Sequence, residues 1–204
     1  MTWVKKPTKV YTLKVTLDES DPPIWRSFQV TDAMTVSDLH YTLQIAMGWT
    51  ESHMNEFVID EQRYARLSPH DDHGPAGPPD EGRETLLGDV ILSEGQKFHY
   101  VYDFGDYWVH EAEVEGISKP EAGKYYPTCL GGEQACPPED CGGMSGYYRM
   151  LRILDDPNHE EYEEYREWLP DDFSPDAFDL DAVNGMLENI DELLLSKGSR
   201  THLQ

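Results

Sequence analysis

The chain has 204 residues, with 40 acidic against 16 basic side chains and a formal net charge of −24 at pH 7. That length is enough to bury a sizeable core in one domain. The charge excludes the clustered Lys and Arg through which proteins hold a nucleic-acid backbone.

The N-terminus, MTWVKKPTKV, is basic but lacks the apolar stretch of a secretory signal. No window reaches the roughly 18 apolar residues of a membrane helix. The cysteine number, three, is odd, which suits a reducing compartment, so the cytoplasm is the expected location. VYTLKVTL (Val10–Leu17) alternates apolar and polar residues and is β-branched-rich, as a strand should be. DESDPP makes a turn, and IWRSFQV (Ile24–Val30) returns as a second strand. A helix follows in TVSDLHYTLQIAMG, with Val36, Leu39, Leu43 and Ala46 on one face, Thr35 as its cap, Asp38 closing a variant capping box and Gly48 ending it. NEFVIDEQRYA reads as a third strand. SPHDDHGPAGPPDEGRET (residues 68–85) reads as a loop whose HDDH run, His70–His73, could catch metal only loosely. KFHYVYDF and YWVHEAEVEGI are two further strands about a tight GD turn. After them SGYYRMLRIL, EEYEEYREWL and DLDAVNGMLENIDELLL have helical period, broken at Pro157 and Pro170.

The order strand–strand–helix–strand–strand–strand, then helices, predicts an α+β fold: a β-grasp-like mixed sheet with a C-terminal cap of about three helices. Residues 1–204 read as one domain. It comprises an α+β core over 10–117, a Cys/Pro/Gly-rich loop over 118–145 and an acidic helical cap over 146–196. From Asp155 to Glu192 there are 15 acids and one base, Arg166, the pattern of a solvated helical surface.

Six strings carry a family resemblance: DPPIWRSFQV, SDLHYTLQIAMGW, HMNEFVI, YDFGDYWVHEAEVE, YPTCLGGEQACPPEDCGG and FDLDAVNGML. In this order they resemble the family named for the third open reading frame of an Agrobacterium root-inducing plasmid, some of whose members are labelled transposon passenger or resolvase-like (TnpR). The resemblance spans roughly residues 10–190. It implies an α+β domain with a β-grasp-like core, often encoded near mobile elements, and brings no activity with it. A serine resolvase needs a nucleophilic serine among arginines and a basic helix-turn-helix; neither is recognisable here.

Three constellations bear chemistry. The first is the thiol loop, with Cys129, Cys136 and Cys141 spaced C-x6-C-x4-C. Thiolates select zinc, and a fourth ligand would come from His110, His99 or His53, or from Glu139 or Asp140; the paired knuckle of a structural zinc site is missing. The alternatives are a proline-stiffened loop whose cysteines pack as small apolar groups, and a transient Cys136–Cys141 disulfide. The second is the YDFGDYWVH hairpin, where Asp103, Asp106 and His110 flank a turn, with His53 as a further partner. Such a set binds a divalent metal or shares acid–base work; otherwise the acids hold turn amides and Phe104 and Trp108 fill the core. The third is a set of binding or anchoring residues: Trp25, Arg26, expected to pair with an acid, and His40 on the first helix.

GxSxG elbows, Walker loops, GxGxxG turns and HExxH helices are absent from the sequence. Two functional expectations result. One is a non-catalytic protein-interaction module with a basic or mixed-charge partner. The other is a metal-dependent enzyme, of hydrolase type, built on Asp103, Asp106 and His110.

Overall fold

In the computed structural model, residues 6–66 and 81–192 are described. The HDDH run and most of the loop around it lie outside them. Seven strands form one sheet: β1 Val10–Leu17, β2 Trp25–Thr31, β3 Asn55–Ile59, β4 Gln62–Arg66, β5 Lys97–Tyr102, β6 Trp108–Ser118 and β7 Thr128–Glu133. Their spatial order is β4-β3-β5-β6-β1-β2-β7. Alternation works as expected in β1, where Tyr11, Leu13, Val15 and Leu17 are buried and Thr12, Lys14 and Thr16 are half-exposed on the other face.

The α+β class holds, but the sheet is antiparallel at every pairing rather than mixed. β1 sits between β2 and β6 and runs against both, so the parallel central pair of a mixed arrangement does not form. Two strands were not legible. The segment read as one strand over 55–65 is the β3–β4 hairpin, turned at Asp60 and Glu61, with φ of 48° and 68°. Two consecutive positive φ values suit a type I′ turn, which normally announces itself with Gly or Asn; an Asp-Glu pair gives no such signal. The loop over 118–145 contains β7, the edge strand beside β2. Its Gly131-Gly132 pair disguised it. Gly132 is required there, since a Cβ would lie 2.7 Å from Arg26 Cδ and 2.8 Å from the Trp25 carbonyl oxygen.

Helix α1 (Val36–Met47) has the expected capping box, with Thr35 accepting from the Asp38 amide and the Asp38 carboxylate accepting from the Thr35 amide, and it ends at Gly48 with φ 82°. It is buried on nearly every side. Leu39, Leu43 and Met47 share the main core with the strands. Tyr41 and Ala46 share a second one with Val183, Leu187 and Ile190. Two short helices, α2 (Glu81–Glu84) and α3 (Leu87–Val90), precede β5. The three C-terminal helices are α4 (Gly143–Leu154), α5 (Tyr162–Trp168) and α6 (Leu180–Leu187). They do not form one cap: α4 gives Tyr147 and Met150 to the main core, while α6 covers the outer side of α1. Among the described residues no helix is long and apolar enough to cross a membrane.

Candidate functional site

The β5–β6 turn is held by its first residue. Asp103 adopts φ 57°, its amide donates to the Met54 carbonyl at 2.8 Å, and its carbonyl accepts from the Tyr107 amide at 2.6 Å. Its Oδ1 accepts from the Gly105 amide at 2.8 Å. With Oδ1 committed to the turn, Oδ2 faces outward and lies 3.7 Å from His53 Nε2. Asp140, at the end of the PPED segment with φ 60°, brings Oδ1 to 3.3 Å from the same nitrogen. Ligand atoms of His53, Asp103 and Asp140 all lie within 4.8 Å of one another, and they form the metal-spaced group of His, Cys, Asp and Glu found among the described residues. The cluster grades outward: side-chain exposure is 9% at Asp103, 26% at His53 and 73% at Asp140. His53 Nε2 is itself shielded from solvent and makes no hydrogen bond.

The PPED segment that supplies Asp140 is pinned beside it. Trp49 Nε1 donates to the Pro137 carbonyl at 2.9 Å. Glu139 accepts from the Thr50 amide at 3.3 Å, and from the Thr50 and Tyr102 hydroxyls. The Tyr102 hydroxyl also accepts from the Ser52 amide at 3.1 Å. Burial, then the bond to the Glu139 carboxylate, pushes the Tyr102 hydroxyl far above its ordinary value. It therefore stays a neutral donor that ties strand to loop. The Trp49 and Tyr102 rings stack at 4.9 Å, and His53 meets the edge of Tyr102 at 5.9 Å.

The hairpin set expected from the sequence does not assemble. Asp106 turns to α4, where its Oδ2 accepts from the Gly142 amide at 3.1 Å. The backbones meet closely there: a Cβ on Gly143, with φ 67°, would lie 2.6 Å from the Asp106 carbonyl oxygen. His110 points inward, because position 110 falls on the core side of β6. It is fully buried, its Nδ1 lies 3.3 Å from the Tyr100 carbonyl, and its Nε2 has no partner. Burial pushes it down to about 4, so the ring is neutral at pH 7. Asp103 thus joins His53 and Asp140, and parts from Asp106 and His110.

The thiols do not gather with His110 either. Cys129 is buried in β7, with its amide and carbonyl both bonded to the Asn184 side chain at 2.8 and 3.0 Å. Cys136 Sγ lies 3.3 Å from Arg26 Nη2 and 3.1 Å from Met47 Sδ. All three are free. Burial raises each thiol above its ordinary value; at Cys141 the carboxylates of Asp106 and Asp140 add to it, and the thiol is pushed up to about 12. Thiols held neutral in this way are packing groups rather than ready thiolate ligands.

The remaining candidates are structural. His40 Nδ1 lies 2.8 Å from the Tyr100 hydroxyl, which also accepts from Gln44 at 3.0 Å. Trp108 is fully buried and stacks on Trp49 at 6.2 Å. Trp25 donates to Glu133 at 3.0 Å and carries Lys14 over its ring at 4.8 Å. Among the described residues Arg26 pairs with no acid, contrary to expectation. Its guanidinium donates to the carbonyls of Ala46, Trp25, Glu133 and Gln134, each at 2.8 Å, and to Cys136 Sγ. It is 3% exposed, so it clips β7 and α1 together from within. Sequence reading missed Trp49 and Tyr102, which anchor the site; the GWT and HYVYDF strings that carry them give no local sign of it.

Fold and cluster together define an α+β protein with one antiparallel sheet, a central helix buried between the sheet and a C-terminal helix, and a histidine–carboxylate group at the β5–β6 turn. The family pattern described as plasmid pRiA4b ORF-3-like protein matches residues 9–182. The chain belongs to that family, in agreement with the resemblance carried by its motifs. It is 37% identical over 182 residues to the uncharacterized protein y4hQ of Sinorhizobium fredii, covering 89% of this chain and 92% of that one. Among solved structures it matches the crystal structure of MM3350, a protein of unknown function from Methanosarcina mazei Go1, with a TM-score of 0.75, 34% identity, and coverage of 86% of this chain and 98% of that chain. These descriptions assign no activity, so function has to be argued from the site.

Proposed function

We propose that the protein binds one divalent cation between His53 Nε2, Asp103 and Asp140, and that the ion serves metal-assisted hydrolysis. The observation that carries this reading is the convergence of three ligand atoms, within 4.8 Å of one another, on a shielded imidazole nitrogen that makes no hydrogen bond. One nitrogen and two carboxylates suit zinc, manganese or iron(II) better than a soft thiophilic ion. Three protein ligands leave coordination positions for water, whose acidity the ion would raise. Graded burial supports the same reading: Asp103 is fixed by its turn, and the exposed Asp140 leaves the outer side of the ion open to a substrate.

The test is calorimetric titration of chelator-stripped, tag-free protein with Zn²⁺ and Mn²⁺, alongside His53→Ala and Asp103→Asn. The expected result is one site per chain, weakened by about 100-fold or more in either variant. Hydrolysis of activated phosphate and carboxylate esters should then follow metal loading. Equal binding in wild type and both variants overturns the site, and stoichiometric binding without turnover removes the hydrolase.

A further inference from the structure

A cleft of about 410 Å³ opens on the other side of the PPED segment, between the end of α1 and the segment leading into α6. Its working surface is Trp49, Pro137, Pro138, Phe173, Phe178 and Met186. This is the size and apolar character of a ligand groove. The charges around it have one sign. Asp179 and Glu139 line it, and Asp171, Asp172, Asp176 and Asp181 are exposed along the same Pro170–Met186 segment that supplies Phe173, Phe178 and Met186 to the cleft. Among the described residues Arg26 is the one basic side chain lining the cleft. All five of its N–H groups are already committed to four carbonyls and the Cys136 sulfur. Its guanidinium carbon lies over the Phe178 ring, 4.4 Å from the centroid. An anion entering the cleft would find the Arg26 donors already committed and exposed carboxylates along one flanking segment.

We infer that this cleft docks a basic, amphipathic segment of a partner protein, with apolar side chains against Trp49, Phe173, Phe178 and Met186 and flanking Lys or Arg on the aspartates of the Pro170–Met186 segment. Charge complementarity selects this occupant. Nucleic acid and acidic peptides meet repulsion, and a second copy of the chain brings the same net charge of −24. Apolar anchors supply the affinity, and the rim supplies steering and salt dependence. The exposed, half-embedded Met186 gives an adaptable contact of the kind that accommodates varied apolar anchors.

The experiment is fluorescence anisotropy on the full chain with three synthetic peptides of about 14 residues, roughly four helical turns. The first has Leu at i, i+3, i+4 and i+7 and Lys elsewhere; the second replaces Leu by Ser at the same charge; the third replaces Lys by Glu. The Leu/Lys peptide is expected to bind. Its affinity should fall by about tenfold between roughly 50 and 300 mM salt. The Ser/Lys peptide should bind at least about tenfold more weakly, and the Leu/Glu peptide should not bind. Met186→Arg should weaken the Leu/Lys peptide by about tenfold or more. Because Met186 is 49% exposed, that variant keeps its fold, which a circular-dichroism melt verifies. An Asp171→Asn/Asp172→Asn variant should flatten the salt dependence instead. Equal binding of the Leu/Lys and Ser/Lys peptides would reduce the effect to general charge attraction and overturn the inference. So would an unchanged affinity in Met186→Arg, or no binding at all.

Discussion

Two histidines of this protein pack against one aromatic layer, and their surroundings set them apart. His110 meets Trp49 edge-on at 5.4 Å from the core side. His53 meets Tyr102, which stacks on Trp49, from the rim. Each has an Nε2 with no hydrogen-bond partner. What separates them is the surroundings. His110 has the Tyr100 carbonyl 3.3 Å from its Nδ1, and burial drives its proton off. His53 faces two carboxylates, one fixed and one open to solvent. An unpartnered imidazole nitrogen is therefore a packing cost in one region and, in the site proposed above, the nitrogen offered to a cation in the other.

The comparison can be broken from the core side first. Trp108→Ala, at 0% exposure, should cost about 3–5 kcal/mol in a denaturant titration, since it opens a cavity under the whole layer. Arg26→Lys comes next. A lysine cannot hold four carbonyls placed for a planar fork, and a loss of about 2–4 kcal/mol is expected, with cooperative unfolding retained.

The sharper test is pH. The unfolded chain protonates His110 near 6.5, whereas the folded one resists until about 4. Above pH 6.5 the group contributes nothing to pH dependence. As pH falls from 6.5 towards 4, the unfolded chain takes the proton first and stability drops by roughly 1.4 kcal/mol per unit. Urea midpoints from pH 7 to pH 4.5 should show that slope in wild type and a shallower one in His110→Gln; identical slopes would mean that His110 is not sealed from solvent. The smallest effect on stability belongs to His53→Ala, within about 1 kcal/mol by thermal melt, because a partly exposed histidine–carboxylate pair holds little of the fold together. A small stability change with a large loss of cation binding is the signature that sets the two regions apart.

Much of the frame was readable along the chain. The α1 capping box, the alternation of β1 and β5, and the helical period after residue 142 depend on neighbours a few positions away. For that reason Thr35, Asp38 and Gly48 could be assigned their roles from sequence. The misreadings share another origin. Asp60-Glu61 turns the chain without a turn residue, and β7 hides behind a glycine pair of which Gly132 makes room for Arg26 and the Trp25 carbonyl.

The sequence by itself determined the α+β class, the acidic surface, the residue types able to hold an ion, and the family. Only the tertiary structure decided which of those residues meet. His53 and Asp103 are brought together by the pairing of β3 with β5, and Asp140 by a loop fastened to Trp49 and Tyr102. Asp106 and His110, close to Asp103 in sequence, are sent elsewhere by the turn and by the two-residue period of β6. Convergence of distant side chains depends on register and loop anchoring, which are long-range properties that local spacing does not encode.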